Sequence, residues 1–268
     1  ILTNEGTVAN TYYYSTSCGV GTTADIWKTE EAKTLDYLKS SYLNPGSLRQ
    51  VDSETVAVGG DTSAVETKVE ALSNEETFQT FISSIRAEDY EAQEPWYRWC
   101  YTVKKIDISR MTEVLKKRYE ADKELILTLK DGDYISQDIT SFSRVQAITV
   151  AKRGSGGVAD ELVISTDKGN IKVISEYNIR AVLCDGTTKV VRQDGSEVSM
   201  PSLLPSAFFV IEPSHDKKNV IGYNIIGGGF GHGVGMSQNG ARNMALHGLD
   251  AEQILNFFYE GCDICSGS

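Results

Sequence analysis

The run Gly-Gly-Gly-Phe-Gly-His-Gly-Val-Gly-Met-Ser-Gln-Asn-Gly at residues 227–240 holds seven glycines and one of only three histidines in the chain. Glycine is used where φ must be positive or where another group must approach the backbone closely. An imidazole framed in this way, with helix-compatible residues 241–246 behind it, suits ligand capture or proton chemistry at a helix start. Its polar groups are His232, Ser237 and Gln238, with Gly231 beside the imidazole. The alternative is a structural turn around a core histidine.

The elements that must position this run can be read from hydrophobic periodicity. Residues 7–17 are rich in strand formers and stop at the small turn Cys18-Gly19. Residues 52–74 are polar and read as a loop or excursion. Ser73 followed by Glu76 has capping-box spacing, and Phe78, Phe81, Ile82 and Ile85 recur at helical intervals, so a helix is expected over residues 74–86. A second helix is expected over 109–120. From Glu124 to Ile211 the pattern changes to short strands at 125–129, 145–150, 161–165, 171–174 and 207–211, separated by turns such as Asp167-Lys168-Gly169. A last strand over 220–226 delivers the glycine run. Asp250 with Gln253 then caps a terminal helix carrying Ile254, Leu255 and Phe258. The expected fold is α+β: one mixed, β-rich domain with a few short helices. Residues 1–102 and 206–268 form its core, and residues 103–205 form a β-rich insert.

Composition narrows the function class. A net charge of −11 over 268 residues argues against a generic nucleic-acid binder, which needs a basic footprint. The same charge disfavours adsorption to anionic membranes, local basic patches such as Lys116 to Arg118 notwithstanding. No apolar run approaches the roughly 20 residues that span a bilayer, and no signal peptide is visible. The chain opens on Ile1 without an initiator Met and reads as a fragment, a mature product or a trimmed piece, so a membrane anchor is expected only in a segment ahead of it. Five cysteines at 18, 100, 184, 262 and 265 do not make a disulfide framework. Cys262 and Cys265 read as a local redox pair or as two unrelated thiols rather than half of a zinc site.

Three separated segments, in order along nearly the whole chain, resemble the stage II sporulation protein D family, which includes the LytB-type amidase enhancers. They are Tyr-Tyr-Tyr-Ser-Thr-Ser-Cys-Gly at 12–19 with its continuation to Trp27, the stretch Trp96-Tyr97-Arg98-Trp99 with Tyr177-Asn178-Ile179-Arg180 and residues 204–209, and residues 227–261. The resemblance implies extracytoplasmic work on peptidoglycan. It suggests a lytic transglycosylase that cleaves glycan strands to 1,6-anhydro ends during wall remodelling in sporulation, with a carboxyl group of raised pKa as the acid. A second carboxylate is then unnecessary, unlike the usual glycosidase scheme. The family's catalytic glutamate sits in an upstream helix of the type EALKAQAVAARTYA, and its zinc site, where present, also lies upstream. Neither is expected to map onto a residue of this chain, so no catalytic acid, metal ligand or cofactor is assigned, and the fragment alone is expected to be inactive or crippled. Asp25, Glu30 and Cys18 read as surface, capping and buried residues.

What the resemblance leaves here is a receiving cleft. Ser15, Thr16, Ser17 and Gly19 would form one wall, their hydroxyls suited to sugar hydroxyl and N-acetyl groups. Strand alternation would put Ser15 and Ser17 on one side; the alternative is a polar edge satisfied internally. Gly231, His232, Ser237 and Gln238 would form the other wall. His232 would hydrogen-bond substrate, orient the acid, or act as acid or base itself. Ser237 has a competing role as a helix N-cap. Gln238 would hold an acetamido group or simply sit in the first helical turn. Trp27, Trp96 and Trp99 can stack on sugar faces, with at least two of them expected in the core. His215 and His247 read as surface or capping residues. The rival functions are a non-catalytic glycan-binding enhancer of a cell-wall amidase, and a hydrolase pairing His232 with a carboxylate from elsewhere in the fold.

Overall fold

The structure is a computed structural model that describes residues 1–47 and 69–265. Most of the excursion expected over residues 52–74 therefore lies outside the described residues. The remainder is α+β and dominated by one large, mostly antiparallel sheet, as its alternating apolar stretches require.

Strands β1 (Leu2–Asn4) and β2 (Thr7–Val8) open the chain, and β3 (Tyr13–Tyr14) follows. The main sheet takes β4 (Trp99–Val103), β5 (Ile126–Lys130), β6 (Asp133–Ile135), β7 (Val145–Arg153), β8 (Ala159–Thr166), β9 (Gly169–Ile174), β10 (Lys189–Arg192), β11 (Glu197–Ser199), β12 (Phe209–Asp216) and β13 (Asn219–Gly227). Its order is β11-β10-β4-β13-β7-β8-β9-β5-β6, with β12 also on β13. The strands drawn from residues 103–205 thus continue the sheet that β4 and β13 begin. Short β14 (Met236–Ser237) pairs in parallel with β3, and β15 (Asp263–Ile264) pairs with β1. Pro213 falls inside β12, which the sheet tolerates because β12 pairs on one side only.

The helices are α1 (Glu75–Ile82), α2 (Ile108–Ala121), α3 (Glu176–Leu183), α4 (Gln238–Leu246) and α5 (Ala251–Phe258). Helices α2 and α5 match the expected positions, and α5 carries the full Asp250/Gln253 capping box. Helix α1 departs from expectation at both ends. Its N-cap is Asn74, which accepts from Thr77 N–H, because Ser73 closes a preceding 3-10 turn and donates its hydroxyl to the Glu70 carbonyl. It stops at Ile82 because the Arg98 guanidinium takes the Phe81 and Ser84 carbonyls, and Ile85 is left 56% exposed. The long strand expected over residues 7–17 is also absent. Only β2 and β3 form there, since the backbone after Tyr14 bonds the glycine run instead of a sheet neighbour. No helix among the described residues is long and apolar enough to cross a membrane.

Candidate functional site

Strand β13 ends at Gly227, and the chain then threads between segments distant in sequence. Gly229 N–H donates to the Trp96 carbonyl (2.8 Å), and Trp99 Nε1–H donates back to the Gly229 carbonyl (3.0 Å). Phe230 and Thr16 exchange backbone hydrogen bonds (2.7 and 3.2 Å), and Thr22 N–H reaches the Gly233 carbonyl (2.8 Å). Gly231 N–H donates to the Pro205 carbonyl (2.9 Å), and Arg180 holds that turn by donating to the Leu204 and Pro205 carbonyls. All three segments that carry the family resemblance therefore meet here. Two glycines are indispensable on steric grounds. Gly231 (φ 119°) lies where a Cβ would sit 2.7 Å from the Tyr14 Cβ, and at Gly235 (φ 73°) it would collide with the Tyr12 carbonyl.

A carboxyl group that sequence reasoning missed lies beneath the junction. Glu91 is 1% exposed, and its Oε1 accepts from Ser17 N–H (2.9 Å) and from Ser237 Oγ–H (2.7 Å). Its Oε2 has no hydrogen-bond partner. Burial pushes its pKa up to about 7, against the lowering effect of those two donors. Asp89 sits alongside, accepts from Tyr97 Oη–H (2.6 Å), and is raised by burial to about 6. The buried Arg98 guanidinium spends its donors on the Cys18, Tyr97, Ser84 and Phe81 carbonyls. The one signal available in sequence was Asp89-Tyr90-Glu91, two acids bracketing a tyrosine just before an aromatic stretch.

These contacts sort the expected site residues into two groups. Thr16, Ser17, Gly19 and Ser237 are buried. Thr16 Oγ1 accepts from Asn239 Nδ2 (2.9 Å), Ser17 Oγ accepts from Gly19 N–H (2.8 Å), and Ser237 Oγ caps α4 through Gly240 N–H (3.2 Å). At Gly19 (φ 102°) a Cβ would run into the Asp89 carboxylate. Ser15 and Ser17 do not share an open wall, because the strand that would have alternated them does not form and Ser17 turns inward to Glu91. Ser15, Gly231 and His232 are half-buried, and Gln238 is exposed. Trp99 lies in the core, while Trp27 and Trp96 are half-buried against it. His215 is exposed, and His247 caps α4, its Nδ1 2.8 Å from the Asn243 carbonyl. All five cysteines are free thiols; Cys262 is buried and Cys265 exposed on either side of β15. No three His, Cys, Asp or Glu side chains among the described residues converge as metal ligands.

His232 lies edge-on to Trp27 (ring centroids 5.5 Å) and 5.8 Å from the Tyr14 ring; Trp27 in turn packs on Tyr12 at 4.6 Å. A shallow depression of about 260 Å³ lined by Asn10, Thr11, Tyr12 and Tyr13 borders this row. Burial, and secondarily the positive charge of Arg180, push the His232 pKa down to about 4. Its Nδ1 accepts from Val234 N–H (3.1 Å), so the neutral ring carries its proton on Nε2 and acts as a hydrogen-bond donor there. Because the folded value lies below the ordinary 6.5, His232 contributes stability that is present above that pH and is lost as pH falls toward 4. The imidazole ¹⁵N shifts of His232 are expected to keep the Nε2–H pattern from neutral pH down to about 5. Protonation of Nδ1, read as an imidazolium ¹⁵N pattern appearing just below pH 6.5, would overturn the burial argument.

Comparison with known proteins places these observations. An uncharacterised protein of Brachyspira hyodysenteriae is 43% identical over 113 residues, 40% of this chain and 28% of that protein. The amidase enhancer of Bacillus subtilis is 46% identical over 50 residues, 19% of this chain and 7% of its own length. The matched stretches thus cover well under half of either relative. A family model described as a domain of unknown function, DUF8618, matches residues 22–235. That span runs from Thr22, bonded to Gly233, through the sheet and into the glycine run itself. The chain belongs to the DUF8618 family.

Proposed function

We propose that this protein works at the cell wall, outside the cytoplasm, as a glycan-binding domain that promotes the action of a cell-wall amidase. The observation that carries this reading is the half-exposed surface made by Ser15, His232 and Gln238 beside the Tyr12–Trp27 pair. A hydroxyl, an Nε2–H donor and a side-chain amide match the hydroxyl and acetamido groups of an aminosugar, and aromatic faces match its C–H surface. The likeness to the Bacillus subtilis amidase enhancer supports the same reading.

Glycan-strand cleavage of the lytic transglycosylase type is the second reading, favoured by the sporulation protein D resemblance. It requires an accessible acid. Glu91, the carboxyl with the highest pKa near the cleft, is buried and lies too deep to touch a glycosidic oxygen. On this reading His232 orients substrate rather than serving as the acid, since its ring stays neutral.

The test is incubation with denuded glycan strands, with and without an amidase. Wild-type protein is expected to bind the strands and leave their ends unchanged by mass spectrometry. Trp27→Ala is expected to weaken binding about tenfold, a loss consistent with one aromatic contact. New 1,6-anhydro ends would favour the second reading, and unaltered binding by Trp27→Ala would remove this surface from the account.

A further inference from the structure

The same cleft holds a group that no surface role explains. Glu91 joins two segments from opposite ends of the chain through a single oxygen, with Ser17 N–H on one side and the Ser237 hydroxyl on the other. Ser237 is also the cap that starts α4, and Asn239 in its first turn donates N–H to the Ser15 carbonyl (3.0 Å). The distance between Ser15 and Gln238 therefore depends on this carboxyl. Its other oxygen is buried without a donor, and so is the Tyr14 hydroxyl on the neighbouring segment.

We propose that Glu91 is a positioning residue of this site, a clamp whose single proton sets the spacing between residues 15–17 and the first turn of α4. This rests on the reading of the cleft as a glycan site. With its proton on, Oε2 presents an O–H that can donate locally, while Oε1 keeps both of its donors. With the proton off, a charge is confined in a buried position with no ion-pair partner among the described residues. The titratable neighbours are Tyr14 on the amino-terminal segment and Glu94 on its own segment; Cys18 lies beside Tyr14, with Arg98 and Asp89 grouped around Cys18. Glu94 adds to the repulsion but is itself bonded by Arg242 and Asn243 of α4. Burial, first among the causes, keeps the proton on below about pH 7. The sign follows: loss of the proton strengthens the two bonds to Oε1 but leaves a buried charge on Oε2 with no donor, and it is this unpaired charge that loosens the clamp as pH rises through about 7.

Two readouts separate the clamp from the glycan reading. Without ligand, the His232 imidazole and Trp27 indole resonances of the wild type are expected to shift with a midpoint near 7, a pH at which His232 itself does not titrate. Glu91→Gln, which mimics the protonated acid, is expected to abolish that transition. With denuded glycan, wild-type affinity is expected to fall about tenfold over the pH unit above the midpoint, while Glu91→Gln stays within roughly twofold. Glu91→Ala should lose binding at every pH, and Glu91→Asp reports on reach if the alanine variant does not fold. A transition that persists in Glu91→Gln, or that is missing from the wild type, overturns the clamp. A transition seen only in the wild type, without glycan binding at any pH, upholds the clamp and ends the glycan reading.

Discussion

Gly235→Ala is expected to lower stability by about 3–5 kcal/mol, enough to unfold a domain at the low end of the usual stability range. Two costs combine. Holding an alanine at φ 73° costs roughly 1–2 kcal/mol. The added methyl group would also overlap the Tyr12 carbonyl, which accepts from Met236 N–H and from the Tyr259 hydroxyl and cannot retreat without losing both bonds. Gly248→Ala is the matched control. Its φ of 94° is equally left-handed, but nothing lies within 4 Å of the position a Cβ would take. Urea unfolding of the two variants should differ by at least about 2 kcal/mol. Equal losses would mean that backbone strain, and not the Tyr12 contact, accounts for the effect.

Arg98→Met should be nearly as damaging, costing about 4 kcal/mol. The methionine fills much of the same space, so the loss isolates the hydrogen bonds. Three backbone carbonyls, those of Cys18, Ser84 and Tyr97, lose their donor at once, while that of Phe81 keeps Ser84, and a buried acceptor left unpaired costs roughly 1–3 kcal/mol. The stacking of the guanidinium on the Tyr97 ring at 4.0 Å is lost as well. Arg98→Lys keeps the charge but cannot satisfy acceptors splayed around a planar fork, so it should recover less than half of the loss. Full recovery by lysine in a denaturant titration would show that charge alone matters at this position.

Local signals were legible where a residue's role is settled by its near neighbours. The Asp250/Gln253 box closes over three residues, and the 3.6-residue period of α2 places Met111, Leu115 and Tyr119 inward; both could be read directly from sequence. The glycine run was legible because positive φ leaves a compositional mark. Ser17 and Ser237 stayed open between a groove-lining role and an internal one for the opposite reason. Whether a serine faces water or a buried carboxyl depends on Glu91, 74 residues from one and 146 from the other. The end of α1 was misjudged in the same way, since Arg98 consumes its last carbonyls from across the chain. Periodicity carried Ile85 forward as a core residue, but tertiary hydrogen bonding had already ended the helix.

The parallel pairing of β3 with β14 has a consequence for biogenesis. Tyr13 and Tyr14 find their partners at Met236 and Ser237, so during synthesis these residues must wait for more than 200 later residues before they can settle. Closing so long a loop is slow and leaves apolar side chains such as Tyr14 and Val20 uncovered in the meantime. Nascent chains should therefore stay sensitive to proteases and in need of chaperone cover until residues 227–240 emerge, with the cleft completed late in folding.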